Sequence, residues 1–96
     1  MFKVLTTATF DEEFVVLRQN KSMATRVKAI DKTLRFLSNP RHPGLQTHEF
    51  ASLKGPNGEK VFEAYAQQNT PAAYRVFWHY GPGRNEITII AFTAHP

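Results

Sequence analysis

Lys60-Val61-Phe62-Glu63-Ala64-Tyr65-Ala66-Gln67 and Ala73-Tyr74-Arg75-Val76-Phe77-Trp78-His79-Tyr80 decide the fold. Both stretches are rich in β-branched and aromatic residues and change character at every second position, the period of a strand. Side chains alternate across a strand. Tyr74, Val76 and Trp78 therefore share one face, and Arg75, Phe77 and His79 the other. In the first stretch, Phe62, Ala64 and Ala66 oppose Glu63 and Tyr65. An apolar face turned toward helices leaves Arg75, Glu63 and Tyr65 on an open surface.

Thr47–Leu53 and Glu86–Ala94 have the same strand character. Asn57-Gly58 predicts a tight hairpin between Thr47–Leu53 and Lys60–Gln67. Gly81–Asn85 joins the last two strands. Upstream the period becomes helical. After a short apolar strand, Phe2–Thr7, the run Thr9-Phe10-Asp11-Glu12 matches a capping box, and Phe10, Phe14 and Leu17 follow at helical spacing to about Asn20. Ser22 is the expected cap of a second helix, whose stripe Met23, Val27, Ile30, Leu34 and Leu37 ends before Pro40. Its opposite face carries Arg26, Lys28, Lys32 and Arg35. Helices first and strands after predict an α+β fold. A short N-terminal strand and an αα hairpin pack on one face of a twisted antiparallel β-sheet, with the first strand at an edge or beside the last. Residues 1–96 are expected to form one domain.

The chain has 96 residues, 42% hydrophobic and 21% charged, which suits a folded domain with one modest core. Zero Cys excludes disulfide stapling, thiolate zinc sites and a Cys nucleophile. The apolar run Ile87–Phe92 is too short to span a bilayer. The start, Met1 to Thr6, has no long apolar h-region, so a cytoplasmic location is expected. Twelve Lys+Arg against eight Asp+Glu give +4, which favours a polyanion or an acidic protein as partner. His42 and His48 lack metal-ligand spacing and there is no HExxH motif, so no metal and no cofactor is expected. Gly81-Pro82-Gly83 lacks the Lys of a phosphate loop, and no serine lies in a nucleophile elbow.

One order of motifs is specific. Phe10-Asp11-Glu12-Glu13-Phe14 opens a helix, and a basic amphipathic helix ends in Asn39-Pro40. Pro43-Gly44-Leu45 precedes His48-Glu49-Phe50 and Leu53-Lys54-Gly55. Tyr74-Arg75-Val76 precedes a closing strand, Ile87 to Phe92, that ends near His95. Across nearly its whole length the chain resembles the RelE/ParE superfamily of bacterial type II toxins, with the YafQ-type members nearest. The resemblance implies an antitoxin partner and, in the RelE branch, cleavage of mRNA on the ribosome. The ParE branch implies a non-catalytic poison of DNA gyrase, and a RelE-fold binding protein without activity is a further alternative.

RelE-like chemistry needs a base for a 2′-hydroxyl, a cation for the phosphorane and an acid for the 5′ leaving oxygen. By resemblance, Arg75 matches the family's strand arginine and His95 the histidine closing the last strand. His48 matches a histidine before the first sheet hairpin. Tyr65 replaces a third histidine, and Glu63 matches a glutamate that acts as base or fixes Arg75. Other members use lysines, for which Lys54 and Lys60 are the candidates. Arg41, Lys54 and the helix residues Arg26, Lys28, Lys32 and Arg35 are candidate RNA contacts. Each has a plainer alternative. Arg75 suits an ion pair with Glu63 across adjacent strands, Tyr65 a packing aromatic, and the basic helix face simple solvation. His42 and His79 are weaker candidates.

Overall fold

The computed structural model describes residues 1–67 and 73–94. Strands β1 (Lys3–Thr6), β2 (His48–Lys54), β3 (Lys60–Tyr65), β4 (Tyr74–Tyr80) and β5 (Glu86–Ala94) form one sheet in the order β1-β5-β4-β3-β2. Helices α1 (Ala8–Gln19) and α2 (Ala24–Phe36) lie between β1 and β2 in the chain. The α+β architecture is as expected. The sheet is mixed rather than wholly antiparallel, because β1 runs parallel to β5 at the edge. The other pairings are antiparallel. The backbone N–H of Phe2 donates to Ser38 O at 2.8 Å, tying the start of the chain to the end of the helical hairpin.

Both predicted caps are displaced. Thr7, not Thr9, caps α1: its hydroxyl accepts from Phe10 N, satisfying one of the orphan donors of the first turn. Ser22 does not cap α2. Asn20 Oδ1 instead accepts from Ser22 N, which starts a 3-10 turn over Lys21–Met23 that runs into α2. The Arg18–Asp31 ion pair (2.9 Å) bridges the two helices.

The hairpin buries Phe10, Phe14, Ile30 and Leu37 against Ala64, Val76, Trp78, Ile87 and Ile89. These strand residues occupy the face predicted from alternation. The second face is not open. Val61, Glu63, Phe77 and His79 are buried there, with Glu63 8% and Phe77 3% exposed. The register slips between Glu49 and Lys54 in β2 and again at Phe77/Trp78 in the β4–β5 pair. Irregularities of this kind bend a sheet and raise its twist. Phe50 of β2 comes to rest 4.9 Å from the Phe77 ring. The result is a partly covered face where flat alternation predicted a flat, solvated one.

Candidate active site

Glu63, Tyr65 and Arg75 meet because β3 and β4 pair with Tyr65 opposite Arg75 and Glu63 opposite Phe77. Arg75 therefore reaches diagonally to Glu63, within range of long side chains on one face. Its Nη1 donates to Glu63 Oε2 at 2.7 Å, and the two side chains are only 14% and 11% exposed. Glu63 Oε1 also accepts from the Tyr65 hydroxyl at 3.4 Å. His48, first residue of β2, lies opposite Glu63 in register, and its ring meets that of Tyr65 edge-on at 6.2 Å. Four of the five predicted catalytic residues thus converge. The fifth, His95, lies outside the described residues.

The electrostatics are those of a compensated cation. A desolvated guanidinium persists only with a partner, and Glu63 supplies it. The Arg75 guanidinium also sits over Phe50 (5.4 Å) and Phe77 (5.1 Å), whose ring faces attract a cation. Arg75 Nε is buried and has no hydrogen-bond partner among the described residues. The site thus presents an oriented cation, a carboxylate bound to it, a phenol on that carboxylate and an exposed imidazole at the rim. The plainer alternative for Arg75 is itself real, since the cross-strand ion pair is formed.

The other candidates are spread over the molecule. Lys54 ends β2, six residues from His48, which is roughly 20 Å along an extended strand. Lys60 makes a solvent-exposed 3.9 Å contact with Glu49. The basic residues of α2 lie on the helix side of the sheet, behind the site. Lys28, Lys32 and Arg35 are exposed there, whereas Arg26 is half-buried over the Tyr74 ring at 5.6 Å. Lys32 shares a cleft of about 250 Å³ with Tyr65 and Ala66. Arg41 is exposed on the loop after α2. His42 and His79 are structural. His42 stacks on Phe36 at 4.1 Å and accepts from Gly44 N, and the buried His79 bonds the Tyr80 carbonyl through Nδ1. Among the described residues no three His, Asp or Glu cluster as metal ligands, and no helix is long and apolar enough to cross a membrane.

Phe50 and Phe77 are the site residues that the sequence candidates omit. Alternation already puts Phe77 beside Arg75. Nothing in the sequence gives the β2 register that brings Phe50 over it.

Six solved structures match this architecture. A YoeB/ParE toxin from Agrobacterium tumefaciens superposes with a TM-score of 0.67 and 14% identity, covering 99% of this chain and 100% of that one. The chain has the fold of the YoeB/ParE toxins. A YoeB dimer from Staphylococcus aureus matches at 0.60 with 16% identity, covering 99% and 98% of the two chains. The toxin fold also matches the YoeB–YefM complex from the same organism at 0.59 with 15% identity, over 100% and 99%. No protein-family model matches the chain, and no curated protein does. In this YoeB/ParE fold the helical hairpin occupies one side of the sheet and the Glu63–Arg75 pair the other.

Proposed function

We propose that this chain is the toxin of a type II toxin–antitoxin pair and a metal-independent endoribonuclease that cuts mRNA on the ribosome. The observation that carries it is the Arg75 guanidinium, held by Glu63 and flanked by Phe50 and Phe77, with Tyr65 and His48 alongside. Arg75 commits Nη1 to Glu63, and a phosphate oxygen binds through the guanidinium N–H groups that this bond leaves over. The 2′-hydroxyl of the upstream nucleotide loses its proton to Glu63, or to His48 at the rim, and attacks the adjacent phosphorus. The P–O5′ bond breaks, and the 5′ oxygen leaves with a proton from an acid, for which Tyr65 and His95 are the candidates. The products are a 2′,3′-cyclic phosphate and a 5′-hydroxyl. Arg75 stabilises the charge that develops on the phosphorane oxygens.

The antitoxin reading draws support from the S. aureus structure, in which YoeB is complexed with YefM. An acidic segment suits a chain of net charge +4. Such a segment laid along β2 would cover His48 and the entrance to Arg75.

Primer extension on a reporter transcript after brief induction tests the activity. New 5′ ends appear with the wild type, only on translated message, and vanish with Arg75→Ala. Intact transcript in cells that still stop growing contradicts the nuclease and points to the gyrase-type alternative.

A further inference from the structure

Behind the sheet, under the loop that joins α2 to β2, lies a cavity of about 300 Å³. Its floor is aromatic: Phe62 and Trp78 stack at 5.0 Å with 27° between the rings. Tyr80 stands nearly perpendicular to both, at 79° to Phe62 and 78° to Trp78. Trp78 itself is only 1% exposed and lies beneath, so the ring surface a ligand can reach is the corner between the part-buried Phe62 and the exposed Tyr80. The loop side is fixed by Pro40 and Pro43 and by His42, whose ring is locked on Phe36. Arg41, exposed and without a salt bridge among the described residues, stands at the mouth. Thr47 and Gln46 supply polar lining, and no carboxylate among the described residues lines the cavity.

We propose that this cavity binds one nucleotide of single-stranded RNA, the base in the aromatic corner and its phosphate on Arg41. The ring surfaces of Phe62 and Tyr80 select a planar ring, and the Arg41 cation selects an anion attached to it, which a hydrocarbon side chain lacks. The volume is at the small end of ligand sites, which run from roughly 300 to 1,000 Å³. It suits a single nucleotide and not a folded element. The cavity and the catalytic face are neighbours in the chain: Thr47 lines one and His48 the other, and likewise Phe62 and Glu63. A strand that passes around the start of β2 reaches both. The RNA as source of the nucleotide rests on the nuclease proposal; binding of a free mononucleotide does not.

The chain carries one tryptophan, Trp78, which lies directly beneath this cavity and serves as its emission reporter. UMP, CMP, AMP and GMP are titrated separately into the purified full-length protein, with inorganic phosphate and the phosphate-free nucleosides as controls. A saturable change with at least one mononucleotide is expected, weaker with its nucleoside and absent with phosphate. Tyr80→Leu, at a position 42% exposed, weakens binding at least about fivefold, the low end of a base–aromatic stack. Arg41→Ala weakens it about tenfold, one charge-assisted contact. Lys21→Ala, an exposed cation outside the cavity lining, leaves it unchanged. No saturable change with any of the four, or binding that both cavity variants retain, overturns the proposal; a cavity that ignores nucleotides but is filled by an antitoxin side chain does so as well. Nucleotide binding by a protein that leaves message intact keeps the cavity site and removes the nuclease. Cleavage without nucleotide binding does the reverse.

Discussion

Glu63 and Arg75 are both part of the fold and the centre of the proposed chemistry, and a mutant cycle separates the two roles. The pair is 2.7 Å apart and nearly out of solvent. Removing one member strands the other: losing one partner of a buried pair costs about 3–5 kcal/mol. The residual exposure of 14% and 11% puts Glu63→Leu near the lower end, about 3 kcal/mol. For a domain of this size that lowers Tm by roughly 12–24 °C, at about 4–8 °C per kcal/mol. Arg75→Met strands the Glu63 carboxylate in the same way and costs about 3 kcal/mol. The double variant Glu63→Leu/Arg75→Met removes both charges and keeps aliphatic bulk under Phe50 and Phe77. It regains most of the loss and stays within about 1–2 kcal/mol of the parent. Urea denaturation followed by circular dichroism gives the three values, and the same samples enter an RNA cleavage assay. A stable but inactive double variant is the expected result. Single costs below about 0.5 kcal/mol would mean a screened surface pair. Strict additivity would mean that the two groups do not act on each other. Either refutes the reasoning.

Other perturbations have definite expected outcomes. Phe77→Ala, at a position 3% exposed, loses about 3–5 kcal/mol in urea melts, more than Phe50→Ala at the half-exposed neighbour. Thr7→Ala removes the α1 cap and costs about 1 kcal/mol, whereas Thr9→Ala costs little; thermal melts rank the two. Gly58→Ala meets open space but a backbone φ of +83°, so it loses about 1–2 kcal/mol through conformation alone, read from the denaturation midpoint. The Glu59 carboxyl is held below the usual glutamate value by backbone N–H groups, its own and that of Asn57. A lowered carboxyl pKa gives stability that is present above the ordinary glutamate value and lost as pH falls through the folded value. The β2–β3 turn therefore loosens on acidification in the wild type and not in Glu59→Gln, as amide exchange at Gly58 will report.

The parts of the fold that were legible in the sequence are those that depend on period. Alternation in Lys60–Tyr65 and Tyr74–Tyr80 assigned the correct faces, and the four-and-three stripe ending at Leu37 located α2 and its buried Ile30. Local chemistry was less legible. Thr7 and Thr9 are both hydroxyl residues ahead of the same apolar run, and the choice depends on where β1 releases the chain. Thr7 N still donates to Ile89 O, so the helix begins immediately after that bond. Ser22 lost its capping role because the Asn20 side chain binds it first. The same parity that brought Glu63, Tyr65 and Arg75 together could not show that their face is covered. That depends on the β2 slip and the β4–β5 irregularity, which are products of tertiary packing. The histidines divide on contacts invisible in one dimension: His42 on Phe36, His79 on the Tyr80 carbonyl, and the exposed His48 edge-on to Tyr65 at the site rim.

The most direct test of the endoribonuclease is cleavage of a defined message on purified ribosomes, with EDTA-resistant components only where the ribosome itself allows it, comparing an all-ribose message with one carrying a single 2′-deoxy nucleotide upstream of the cut. The first is expected to be cleaved, leaving 2′,3′-cyclic phosphate and 5′-hydroxyl ends, with no cut at the deoxy position and none by Arg75→Ala. Cleavage at the deoxy position, or fragments bearing 5′-phosphate, would contradict attack by the 2′-hydroxyl and with it the roles assigned to Arg75 and Glu63.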